Sequence, residues 1–178
     1  MDCMETIAAR RSYRGSYLPE PVPRADLQRI MEAGLAAPSG CNKQTVSLIA
    51  ADAPALLAGI FEIMEQPFCR TAPAVICVLT ERITAYQDGW GKARCYAVQD
   101  YAAAIENMLL AVTALGYASC WIEGHVTDAD EQGKRIAELL GVPAEKELVC
   151  VLPVGRPAEQ IKPVRKKPFS ERMQFAER

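Results

Sequence analysis

The stretch from about Arg94 to Leu115 constrains this chain more than any other. Val98, Tyr101, Ala102, Ile105, Met108, Leu109, Val112 and Leu115 recur at the i, i+3, i+4, i+7 intervals of a helix face, and Gly116 ends the run. Ala103, Ala104 and Ala111 make the opposite face small rather than charged. A helix that is apolar on more than one side must be covered more than once. It therefore reads as the core helix and as an oligomer contact. Two apolar runs supply strands to pack on it. Ala74–Thr80, AVICVLT, is continuous and fits a strand buried on both faces. Leu148–Val154 is the last inner strand.

Other elements follow from local signals. Met4–Arg10 reads as a short helix ending in basic residues, which suit a helix C-terminus. SYLPEPVP is extended, because its prolines exclude a helix interior. A helix runs from about Arg24 to Ala37, with Leu27, Ile30, Met31, Gly34 and Leu35 on one face. Thr45–Ala51 is a strand, and Asp52 is placed to cap a helix of about Ala53–Met64. Glu81–Ala93, with DGWGK inside it, is irregular. Ser119–Glu123 is a strand, and Thr127 or Asp128 caps a helix to Leu140 that Gly141 closes. The tail after Arg156 has no core pattern. Strict βαβ alternation is absent, so the class is α+β: a central, mainly antiparallel sheet flanked by helices. No repeat or linker divides residues 1–178, which read as a single domain.

Composition excludes several functions. Half of the 178 residues are hydrophobic and 24% are charged, which suits a packed core and argues against disorder. A formal net charge of -2 gives no broad basic surface for nucleic acid or an anionic membrane. The seven cysteines are odd in number, and no two form a CxxC pair, so zinc or iron–sulfur spacing is missing and no metal is expected. Free thiols and the lack of a signal-like N-terminus or membrane-length apolar run fit a cytoplasmic protein. No GxGxxG or GxxxxGK[ST] occurs, so the Rossmann and P-loop readings lose their main support.

Four polar constellations remain. RRSYR, Arg10–Arg14, is either a solvated helix end or an anion clamp, since guanidinium forks and a serine hydroxyl match phosphate oxygens. PSGCNKQ is either a helix stop or a cradle. Asn42 and Gln44 each offer a donor and an acceptor, which suits a heterocycle edge. Cys41 lacks a histidine to activate it. ASCWIEGHV is a strand exit where Gly124 permits close backbone approach; His125, the only histidine, fits a structural role or a catalytic base. VGRP and the basic tail IKPVRKKP are either solvated or complete a phosphate site.

The order RRSYR, APSGCNKQ, QDYAAAIENMLLAVTALGYASCWIEG, VGRP and a basic tail resembles the nitroreductase family of FMN-dependent flavoproteins over nearly the whole chain. The resemblance implies an intertwined homodimer with FMN at the subunit interface. It implies that Arg10 and Ser12 contact the FMN phosphate and ribityl region, with Arg11 nearby and Arg14 towards the pyrimidine edge. Pro38, Ser39 and Gly40 match a loop supplied by the other subunit, and Asn42 and Gln44 the family's N-x-Q positions. Glu123 and Gly124 match the strand end whose backbone approaches flavin N5. Arg165, or Lys166 beside it, matches the tail cation on the phosphate, and the tail from about 157 extends towards the partner. Thr45 and Val46 stand where the family often has proline and an aromatic, and Gln66–Cys69 is short. The implied reaction is ping-pong: NADH or NADPH delivers hydride to the flavin, and a nitroaromatic, quinone or other conjugated small-molecule acceptor takes the electrons. No protein residue is assigned as catalytic; Tyr86 and Trp90 are lid candidates or plain surface aromatics. Alternatives are another FMN reaction on the same fold (enone reduction, reductive dehalogenation or flavin fragmentation), a flavin-binding redox protein without efficient turnover, and a dimeric scaffold without flavin.

Overall fold

A computed structural model describes residues 1–127 and 131–176. In chain order the helices are α1 (Cys3–Ala9), α2 (Arg24–Leu35), α3 (Pro54–Met64), α4 (Ala97–Ala114), α5 (Gly124–Thr127) and α6 (Gln132–Leu139). The strands are β1 (Val46–Ala51), β2 (Ala74–Thr80), β3 (Tyr86–Gln87), β4 (Ala93–Arg94) and β5 (Glu147–Val154).

β1, β2 and β5 form an antiparallel sheet in the order β1-β2-β5. β2 is the centre, and every one of its residues is buried. Alternate side chains of a strand point to opposite faces. Val75, Cys77 and Leu79 pack with Ile60, Phe61 and Met64 of α3 and Ile136 of α6. Ala74, Ile76 and Val78 pack with Leu27 and Ile30 of α2 and Ile105, Met108 and Val112 of α4. The sheet thus lies between two helical layers, which explains why AVICVLT carries no polar alternation. The α+β class holds.

α2 and α4 approach closely at Gly34, where a Cβ would lie 2.7 Å from Met108 Cγ and 3.3 Å from the Ala104 carbonyl oxygen. Ala104 is therefore buried in this contact rather than on an outer face. α1 packs across α4, and Arg10 is its C-cap. Its start is fixed by a capping box: Glu5 N–H donates to Asp2 Oδ1 at 2.8 Å and Asp2 N–H to Glu5 Oε2 at 2.9 Å.

Several boundaries differ from the sequence reading. Asp52 does not cap α3; Ala53 is the N-cap and makes no side-chain bond. Asp52 instead accepts Arg24 Nε at 2.7 Å and Arg24 Nη2 at 2.9 Å, a two-pronged contact that a single backbone N–H does not match. Arg94 begins no helix, because it pairs with Tyr86 in a short hairpin that breaks up the expected irregular stretch. Residues 118–122 form isolated bridges rather than a full strand: Ala118 with Gly155, Ile122 with Val151 and, in parallel, Ser119 with Ser12. α6 is shorter than expected and begins after Glu131, whose φ is 55°. Asp128, the proposed cap, lies outside the described residues. Gly141 does close the helix, with φ 66°.

Candidate functional site

Three of the four polar constellations attach to α4. Arg10 Nε lies 3.3 Å from Glu106 Oε1 on that helix. Arg11 folds back, and its guanidinium donates to the carbonyls of Ala8 and Arg10 at the end of α1. Tyr13 turns inward and stacks edge-on against Tyr17, with centroids 5.1 Å apart, while Arg14 faces out. Tyr13 N–H donates to the Ser119 carbonyl at 2.8 Å, so Ser12 and the RRSYR backbone run alongside residues 118–122. Burial pushes the Cys120 thiol pKa up, and the positive charges of Arg14 and Arg10 partly oppose it.

The 38–44 loop is held by the start of α4. Gly40 N–H donates to Asp100 Oδ1 at 2.7 Å, and Thr45 Oγ1 donates to Asp100 Oδ2 at 2.9 Å. Asp100 is 4% exposed. The Tyr96 ring lies on Gly40, where an added Cβ would come within 2.4 Å of Tyr96 Cδ2, so only glycine fits. Within the loop Gln44 N–H donates to Ser39 Oγ at 2.9 Å. Cys41, Asn42 and Gln44 have φ of 52°, 52° and 50°. Left-handed backbone costs a non-glycine residue about 1 kcal/mol or more, so three in four positions must be held from outside. Pro38, Asn42 and Gln44 are exposed, and a cleft of about 250 Å³ opens beside Pro38, Ser39, Gln44 and Asp100.

At the third place, Glu123 turns its carboxylate into the protein. Tyr101 OH donates to Oε1 at 2.6 Å and Trp121 Nε1 to Oε2 at 2.8 Å. Burial first, then this bond to Glu123, raises the Tyr101 pKa to about 12. Gly124 begins α5, and a Cβ there would meet nothing within 4 Å, so the surface beside it is open. The His125 side chain lies outside what is described. Arg165 and Lys166 sit in the exposed tail, and among the described residues no hydrogen bond or ion pair ties them to the body. The chain is last anchored at Ala158 and Glu159, against Ser16 and Tyr13.

The donor set suits a flat, anionic, heterocyclic cofactor. It comprises the guanidinium groups and hydroxyl of residues 10–14, two exposed amides that share a bond from Gln44 Nε2 to Asn42 Oδ1 at 3.4 Å, and an open backbone turn at Gly124. The sequence does not single out Asp100, Tyr96, Tyr101 or Trp121 as holding these segments. Asp100 and Tyr101 stand within the quoted DYAAAIEN run, but nothing in their spacing links them to residues 40, 45 or 123.

The model of the Nitroreductase family matches residues 7–66 and 60–156. An Archaeoglobus fulgidus protein with the provisional name NADH dehydrogenase/NAD(P)H nitroreductase is 30% identical over 162 residues, covering 89% of this chain and 87% of that protein. The structure of a Bacteroides fragilis nitroreductase with bound FMN superposes with a TM-score of 0.76 at 31% identity, over 98% of each chain. A Desulfovibrio desulfuricans protein in complex with FMN, provisionally named a nitroreductase, gives a TM-score of 0.78 at 26% identity, over 97% of this chain and 95% of that one.

Proposed function

The chain belongs to the nitroreductase family, and from that premise we propose that it is an FMN-dependent oxidoreductase using NADH or NADPH. The 38–44 loop carries this reading. Its backbone is held in a costly conformation by a buried carboxylate, while the Asn42 and Gln44 amides stay exposed. Strain maintained in this way points to a ligand-facing role. The FMN-bound relatives support the choice of cofactor.

FMN, when bound, supplies the two-electron chemistry, taking hydride from the nicotinamide and passing electrons to a nitroaromatic, quinone or other conjugated acceptor in a ping-pong cycle. The residues of this chain bind and orient it. Arg10, Arg11 and Ser12 take the phosphate and ribityl end, and Arg14 adds positive charge towards the pyrimidine edge. Pro38, Ser39, Gly40, Asn42 and Gln44 line the ring edge. Glu123 is locked by Tyr101 and Trp121, so its main chain and that of Gly124 present a fixed surface to the ring. Arg165 or Lys166 completes the phosphate contacts.

The site needs two copies of the chain. Asp100, which holds the loop, and Glu106, which holds Arg10, lie about 120° apart around α4 and about 9 Å apart along it. One chain therefore presents its loop and its arginines in different directions. A homodimer brings one chain's loop to the other's arginines, and the exposed tail beyond Glu159 reaches the partner. Exposed Met4, Ile7, Leu35 and Val98 supply apolar surface for that contact. In this reading residues 1–178 act as one unit. All seven cysteines are free, which suits a cytoplasmic location. Among the described residues no helix is long and apolar enough to cross a membrane.

The visible spectrum of the purified protein tests the proposal. A flavin spectrum that bleaches with NADH or NADPH under argon, and recovers with a nitroaromatic or quinone, is expected. A colourless protein that takes up no added FMN overturns it.

A further inference from the structure

We propose that Asp100 is a positioning residue for the cofactor: its carboxylate fixes residues 40–45 in the shape that presents Asn42 and Gln44. The inference rests on the FMN reading above. Asp100 gives one oxygen to each end of the loop, Oδ1 to the Gly40 N–H and Oδ2 to the Thr45 hydroxyl. Between these two anchors lie the three residues with positive φ. The internal Gln44–Ser39 bond closes the loop on itself but ties it to nothing else. At the far end the Glu81 N–H also donates to the Thr45 carbonyl at 3.1 Å, where β1 begins, so the long-range hold on residues 40–44 comes from Asp100 and from the Tyr96 ring over Gly40.

The placement suits the task. Asp100 stands in the first turn of α4, where the helix dipole favours a negative group. It is buried, so water does not compete for its two oxygens. Its neighbour Tyr101 holds Glu123, and Glu106 holds Arg10. One rigid helix thus sets three separate parts of the site, and Asp100 sets the loop alone. Removing its carboxylate should release residues 40–45 while leaving the arginine and Glu123 regions in place.

Asparagine should largely restore the arrangement. Its single carbonyl oxygen can accept the Gly40 N–H, and the Thr45 hydroxyl can rotate to accept from the amide nitrogen. Alanine offers neither oxygen and strands the half-buried Gly40 N–H and the buried Thr45 hydroxyl.

Hydrogen exchange of the protein alone and FMN titration by fluorescence quenching test this in wild type, Asp100→Ala, Asp100→Asn and Thr45→Val. Asp100→Ala is expected to speed exchange in 38–46 but not in 10–14 or 118–124, and to raise the FMN Kd about tenfold or more. Asp100→Asn should stay within about threefold of wild type. Unchanged loop exchange in Asp100→Ala overturns the proposal, as does a wild-type Kd despite a loosened loop. Should Asp100→Ala fail to fold, Thr45→Val decides: with native near-UV circular dichroism its Kd must rise severalfold, and an unchanged Kd overturns the proposal. Flat quenching curves in wild type and every variant would instead remove the FMN reading itself, and this inference with it.

Discussion

The 38–44 loop and the 85–94 hairpin meet at Tyr96, and each depends on one aspartate, but they are built in opposite ways. Asp88 works locally. Its carboxylate accepts Trp90 N–H at 3.1 Å, Lys92 N–H at 2.9 Å and Arg94 Nε at 3.1 Å, all within its own hairpin. Gly91, with φ 76°, makes the turn, and Trp90 stands 92% exposed at the tip. Asp100 works at long range, joining α4 to residues 60 and 55 positions earlier in the chain. The hairpin holds itself together and leans on the body through the Tyr86–Tyr96 hydroxyl pair, 3.2 Å apart. The loop has no such independence: its backbone strain is offset only when the core is folded. A locally stapled segment can open without unfolding the protein, whereas the loop is as rigid as the helix that holds it.

The largest test of this contrast is alkaline pH, which acts on the core. Burial raises the Cys77 thiol pKa from its ordinary 9.0 to about 12, and Tyr101 rises from 10.0 to about 12. Both groups hold their protons more tightly in the folded state. Their contribution is complete below about pH 9 and is lost as pH rises towards 12. Urea midpoints should therefore be level from pH 7 to 9 and fall above it; a flat profile to pH 11 would contradict this burial.

Gly40→Ala comes next. The methyl group meets the Tyr96 ring and, through it, the start of α4. A loss of about 1–3 kcal/mol in global stability is expected, since the loop cannot shift alone. Denaturant titration measures it, and a neutral result would mean that the loop moves independently of α4.

Asp88→Ala should do the reverse. Protease cleavage at Lys92 and Arg94 should rise markedly, while global stability changes by less than about 1 kcal/mol because the hairpin is exposed. A large fall in the melting temperature would show the hairpin to be part of the core.

Tyr86→Phe is the smallest. It removes an exposed hydroxyl contact, so stability should stay within about 0.5 kcal/mol. The Tyr96 pKa, raised chiefly by its bond to Tyr86, should move back towards the ordinary tyrosine value. A spectrophotometric titration that shows no change would mean the pair does not form in solution.

Much of this is legible in the sequence. AVICVLT announced a strand covered on both faces, and β2 runs from Ala74 to Thr80 as read. The DYAAAIEN helix announced a buried spine because its apolar period exceeds one face. Such signals are local, and local sequence carries them. The strand expected at 119–123 does not form as such: its apolar residues mark burial, but neighbouring backbone decides that only isolated bridges form. Asp52 misled for a similar reason, because its position predicts a cap, while Arg24, 28 residues away, supplies the stronger partner.

The sequence by itself determined the family resemblance, the α+β layering and the residue types a phosphate and a heterocycle edge require. Periodicity and residue chemistry are properties of neighbours along the chain. Only the tertiary structure decided that Asp100 grips both ends of the 38–44 loop, that Glu123 is turned inward by Tyr101 and Trp121, and that Arg10 answers to Glu106. Those partners lie far apart in sequence, and they meet because one face of the sheet gathers α2, α4 and the segments beside them against β2.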